Sequence, residues 1–111
     1  MDRVGLSAEV AEVWSITVPL FIATYEYVGD PEAQQLVRPS HREFLKELGP
    51  ALVASGPTDA NGAVLIFEAG SAAEVAALLH DDPFQVEGFV GERRVVGWTP
   101  VLGRLVESGI L

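Results

Sequence analysis

The segment Val18-Pro19-Leu20-Phe21-Ile22-Ala23-Thr24-Tyr25-Glu26-Tyr27-Val28 alternates along its length. Phe21, Ala23, Tyr25 and Tyr27 project one way, and Leu20, Ile22, Thr24 and Glu26 the other. A period of two in residues of this kind marks a β-strand. The apolar run Ile16–Ala23 overlaps it, but that run is too short to cross a bilayer and Pro19 interrupts it. Glu9 and Glu12 precede it where a signal sequence carries basic residues. The run is therefore entry into a core strand, and a soluble, cytoplasmic protein with no membrane partner is expected. Asp30-Pro31 closes the strand, and Glu32–Val37 reads as a loose turn.

Beyond the turn, Pro39 suits a first helical position and biases Arg38 away from helical geometry. A helix is expected from Pro39 to about Leu48, with His41, Phe44, Leu45 and Leu48 on one face and Gly49-Pro50 as its stop. Ala51–Ser55 reads as a short strand turned by Gly56-Pro57. Asn61-Gly62 is a tight-turn signal before a strand over Ala63–Ala69, so the two strands form an antiparallel pair. Ser71-Ala72-Ala73-Glu74 has the spacing of a capping box opening a helix over Ala72–His80. Asp82-Pro83 starts a further short helix, with Asp82 as cap and Pro83 at its first position. Glu92–Thr99 is the last core strand.

The order strand, helix, strand, strand, helix, strand predicts an α+β, ferredoxin-like βαββαβ fold with one antiparallel sheet and both helices on one face. The other face then lacks cover within the chain. Tyr25, Tyr27, Phe67 and Trp98 are candidates to lie on it, and a bare apolar sheet face calls for a partner, here a second copy. Residues 1–17 form an N-terminal extension, in which Ser7 caps a short helix bearing Leu6, Val10, Val13 and Trp14. Residues 18–100 form the domain, and residues 101–111 a tail with weak helical character.

Composition narrows the function. The 111 residues form one domain by size, and 49% hydrophobic content argues against disorder. A net charge of −9 with scattered basic residues argues against nucleic acid. The absence of cysteine excludes disulfides, thiolate nucleophiles and cysteine-held metals. His41 and His80 alone make a poor metal set. Gly88-Phe89-Val90-Gly91 lacks the strand-to-helix setting of a phosphate loop, and no serine sits in a nucleophile elbow.

Arg38-Pro39-Ser40-His41, Ala54-Ser55-Gly56-Pro57, Asp82-Pro83-Phe84 followed by Gly88, and the strand end Trp98-Thr99-Pro100 together resemble the YCII-related (YciI-like) family. The resemblance spans about Leu20–Pro100. It implies a dimeric α+β barrel and a site built on a histidine–aspartate pair, which by position is His41 and Asp82. The family includes an enzyme that removes chloride from a chlorinated hydroxyquinol, and muconolactone isomerase shares the wider fold. Isomerase or lyase chemistry on small oxygenated rings is what the resemblance implies, and no cofactor is expected. A haem-dependent barrel is a weaker alternative, because the resemblance brings no haem ligand.

Each candidate residue has a structural reading beside the functional one. His41 is a general base or a core histidine with one hydrogen-bond partner. Asp82 orients His41 or only caps its own helix, and its two oxygens allow both. Arg38 holds an anionic group of a small-molecule ligand or makes a surface ion pair with Glu43 or Asp30. Ser55 orients a ligand or ends a strand, and Tyr25 lines the ligand pocket or is an ordinary strand aromatic, as is Tyr27. His80 suits a helix C-terminus, and Asp81 a solvated surface. Two functions follow: a cofactor-free proton-transfer enzyme, or a dimeric ligand-binding or assembly module without catalysis. A pair lining an open cavity favours the first, and a sealed pair the second.

Overall fold

A computed structural model describes residues 19–111. The sequence expectations for the extension, with its Ser7-capped helix, fall outside them. Strand β1 (Leu20–Tyr27) buries Phe21, Ala23, Tyr25 and Tyr27 in alternation. Helix α1 follows over Pro31–Glu47, then a 3-10 turn at Gly49–Ala51. Next come β2 (Leu52–Thr58), β3 (Gly62–Glu68), α2 (Ala72–Leu79), α3 (Pro83–Val86), β4 (Val90–Trp98) and the single turn α4 (Arg104–Glu107). The four strands pair antiparallel in the order β2-β3-β1-β4. This is the expected ferredoxin-like α+β architecture.

Three local expectations are corrected. Helix α1 begins eight residues before Pro39. Asp30 caps it by accepting the Glu32 amide at 3.1 Å, and Pro31 takes the first position. Pro39 thus lies inside the helix, where it has no N–H to offer the Gln35 carbonyl. His41 is accordingly a mid-helix residue. The second correction concerns Gly56-Pro57, which lies within β2, with Pro57 opposite Ala63. An edge strand tolerates a residue without a donor. Finally, the last strand starts at Val90, two residues earlier than expected.

Ser71 accepts the Glu74 amide at 3.1 Å, and Glu74 reaches back to the Gly70 amide at 2.7 Å, so the box closes one residue early. Val75 and Leu79 of α2 and Leu45 of α1 pack with Phe21, Leu65, Phe67 and Phe84 in one core on one face of the sheet. Gly62 of β3 lies against the Tyr25 carbonyl, where a Cβ would collide. Glycine there lets β1 and β3 close beneath Tyr25.

Among the described residues, no element covers the opposite face. Register places Leu20, Ile22 and Thr24 of β1 beside Val64 and Ile66 of β3 and Trp98, Val96 and Arg94 of β4. Val96 remains 49% exposed and its neighbours Ile22, Ile66 and Trp98 are half-buried. Of the four aromatics considered for this face, Trp98 lies on it. Tyr25, Tyr27 and Phe67 face the helices and are buried. The expectation for those three is overturned because the large odd-numbered residues of β1 follow the core side of the pleat. No helix among the described residues is long and apolar enough to cross a membrane.

Candidate functional site

The site is built around a carboxylate that the local sequence forces inward. Asp82 ends the turn after α2, donating its amide to the Leu79 carbonyl at 3.1 Å. It then caps α3 by accepting the Phe84 amide on Oδ1 at 3.0 Å. Pro83 fixes the first helical position, and Phe84 anchors α3 in the core with no exposure. Asp82 itself is fully buried. A buried carboxylate needs donors, and two side chains supply them besides the cap. His41 Nδ1 lies 2.8 Å from Oδ1 and 3.0 Å from Oδ2. The Tyr25 hydroxyl donates to Oδ2 at 2.7 Å.

A carboxylate only accepts, so the His41 proton sits on Nδ1 and the lone pair on Nε2. The His41 ring stacks on Phe84, with centroids 4.3 Å apart and planes within 7°. Tyr27 and Phe89 meet the same phenyl ring edge-on. Ring stacking and the hydrogen bond to Asp82 together fix both the plane and the tautomer of the imidazole. The Arg38 guanidinium lies 5.3 Å from the centre of the Phe84 ring. Burial, reinforced by the Asp82 charge, holds the Tyr25 phenol well above its usual range. Burial also raises Tyr27, with the Arg38 charge pulling the other way.

The structure thus brings His41, Asp82, Tyr25 and Arg38 together. Tyr25 sits behind Asp82 and is 4% exposed, so its hydroxyl meets the carboxylate instead of lining a ligand pocket. Ser55 is not part of this group. It lies exposed on β2, which β3 separates from β1. Two strand spacings are about 10 Å. Ser55 lines instead a surface groove of about 280 Å³ with Pro57, Val64 and Ile66. His80 and Asp81 are exposed. Arg93 is a neighbour that the sequence reading missed. It stands opposite Tyr25 in the ladder and donates to Gln85 of α3 at 3.1 Å. Its signal was a strand period in which Arg93 shares the inward phase with Val95.

The side chains of His41 and Asp82 are 8% and 0% exposed. Neither lines the Ser55 groove or a second one, of about 360 Å³, on the flank of α1. Among the described residues, no three His, Cys, Asp or Glu side chains are grouped to hold a metal ion. The chemistry available is an oriented imidazole whose Nε2 has no hydrogen-bond partner among the described residues, a satisfied carboxylate behind it, and a guanidinium over the phenyl ring on which the imidazole stacks.

A sequence profile of the YCII-related domain matches residues 19–99. The chain belongs to the YCII-related family. This YCII-related domain is similar to 5-chloro-2-hydroxyhydroquinone dehydrochlorinase (TftG) from Burkholderia phenoliruptrix AC1100, solved in complex with 2,5-dihydroxybenzoquinone. The two are 26% identical with a TM-score of 0.66, over 72% of this chain and 93% of that one. Protein Atu4242 from Agrobacterium tumefaciens shares the fold, at 18% identity and a TM-score of 0.50, over 75% of this chain and 93% of that one. No curated protein matches the chain.

Proposed function

We propose that this YCII-related protein is a cofactor-free enzyme that moves a proton on a small oxygenated ring, of the lyase or isomerase type. The observation that carries the reading is His41 Nδ1 held at 2.8 Å by a fully buried Asp82. That bond leaves Nε2 as the basic nitrogen. His41 Nε2 takes a proton from a ring hydroxyl or from a carbon beside a carbonyl. The freed electron pair forms a new π bond, and Arg38 steadies the negative charge that develops on oxygen. An anionic leaving group then departs from the ring, or the proton returns at another atom and the double bond shifts. Asp82 stabilises the imidazolium that forms in between. The dehydrochlorinase relative supports the lyase type, since loss of hydrogen chloride is a reaction of this kind.

In the assembled protein, two bare sheet faces pack together as a homodimer. The apolar set Ile22, Ile66, Val96 and Trp98 supports this arrangement.

The test is chloride release from 5-chloro-2-hydroxyhydroquinone and isomerisation of unsaturated ring lactones, in the parent and in His41→Gln. Turnover that His41→Gln abolishes supports the reading. Turnover that survives the substitution rejects it. The second reading, a ligand-binding or assembly module, is favoured by the 8% and 0% exposure of the pair. It requires that neither assay shows turnover and that His41→Gln lowers stability alone.

A further inference from the structure

Arg38, Arg42 and Lys46 recur every four residues along α1, which sets them on one flank of the helix. They line the groove of about 360 Å³ with Gln35, Pro39 and Glu43, the last its sole carboxylate. The chain carries 16 acidic and seven basic residues. Three of those seven therefore share one groove, and Arg93 adds a fourth cation beside Tyr25. Among the described residues, the one ion pair is His41 with Asp82, so no described carboxylate holds any of the four cations. On an acidic chain, cations placed side by side concentrate a local positive field.

Arg38 links the groove to the site. Arg38 forms its wall and at the same time lies over Phe84, the ring on which His41 stacks. Pro39 has no N–H to give the Gln35 carbonyl, and both residues line the groove.

We propose that the ligand of this site is anionic, a small ring bearing a carboxylate or an ionised hydroxyl, received on the Arg38–Arg42–Lys46 track beside His41. This deepens the proton-transfer reading and rests on it for what happens next. The shared chemistry is anionic oxygen on a ring. Arg42 and Lys46 capture and steer it, and Arg38 holds it next to the imidazole.

The experiment is an NMR titration of the full chain with 2,5-dihydroxybenzoate, 2,5-dihydroxybenzoquinone and neutral hydroquinone, at low and at high salt. The parent should bind at least one of the two anions more tightly than hydroquinone, and less tightly at high salt, where surface charges are screened. Whichever anion binds identifies the source of the charge. Arg42→Gln/Lys46→Gln changes only exposed positions. It should weaken anion binding about three- to tenfold at low salt and flatten the salt dependence, from two exposed charges of ordinary strength. Hydroquinone binding should not respond. Equal anion binding in the parent and the double variant overturns the proposal. So does failure of both anions to bind at low salt, or equal affinity for the neutral ring. Separately, the His41 ring signals report on the catalytic reading. If anions bind through the track while those signals stay fixed, the anion site stands and the proton-transfer reading fails.

Discussion

Removing the Tyr25 hydroxyl tests whether Asp82 is held as a charged carboxylate. Tyr25→Phe deletes one oxygen and keeps the ring, which contacts Tyr27 at 6.2 Å between centroids. The lost bond is the 2.7 Å donation to Oδ2 of a residue with no exposure, so water does not take over. A hydrogen bond to a charged partner contributes about 1.5–3 kcal/mol, against about 1 kcal/mol for a neutral one. For a domain of this size, at roughly 4 °C per kcal/mol, Tyr25→Phe should lower Tm by about 6–12 °C. The decisive form is a double-mutant cycle with Asp82→Asn, read by urea unfolding at neutral pH. In the Asn background the hydroxyl faces a neutral partner, and the same substitution should cost about 1 kcal/mol. A coupling of roughly 0.5–2 kcal/mol is thus expected. An equal cost in both backgrounds, or a Tyr25→Phe variant as stable as the parent, refutes the argument that Tyr25 supports a buried charge.

Three further outcomes follow from the same geometry. Tyr25 and Tyr27 hold their protons more tightly in the fold than in the unfolded chain, whose phenols titrate near 10. The stability this supplies is complete below that pH and is lost as pH rises beyond it, by about 1.4 kcal/mol per pH unit for each group. Tyr25→Phe should remove one such increment from the slope above pH 10, and an unchanged slope in alkaline urea melts contradicts it. In Asp82→Asn the amide oxygen stays with the Phe84 N–H and its NH2 turns toward His41, so the imidazole proton should move to Nε2. Nitrogen-15 shifts of the ring read this directly, and a proton retained on Nδ1 counts against the assigned network. Val96→Asp, on the bare face, should halve the mass seen by light scattering while the circular dichroism spectrum is kept. A parent that is already monomeric rejects the dimer.

Much of this was legible because the alternation of β1 and the pairing signal at Asn61-Gly62 are local. Asp82-Pro83 was read correctly as a helix start for the same reason, since cap and first position are adjacent residues. Asp30-Pro31 is the same dipeptide in the same role, yet it reads as a strand end when Pro39 offers a competing start. A single proline inside a helix costs about 3 kcal/mol. Contacts on both sides of Pro39, from Val37 to Leu45, offset it, and those contacts are tertiary and invisible in sequence. The His41–Asp82 pair was reachable only through family resemblance, because 41 residues separate its members. Arg93 was missed since a charged residue on an inward phase reads as solvated until Tyr25 is known to stand opposite.

Strand β1 separates the proposed chemistry and the proposed assembly onto its two faces. Tyr25 points to the helices and holds Asp82, which holds His41. Ile22 and Thr24 point to the bare face with Val64, Val96 and Arg94. A slip of one residue in register exchanges the two sets, so the β1–β3 ladder that seats Gly62 under Tyr25 also fixes which residues the bare face presents. The track of Arg38, Arg42 and Lys46 lies on α1, across the sheet from that face. The proposed association through the sheet would therefore not use the Arg38 flank of α1. The proposed assembly and the proposed chemistry are compatible, and the loss of one by mutation on its own face should leave the other intact.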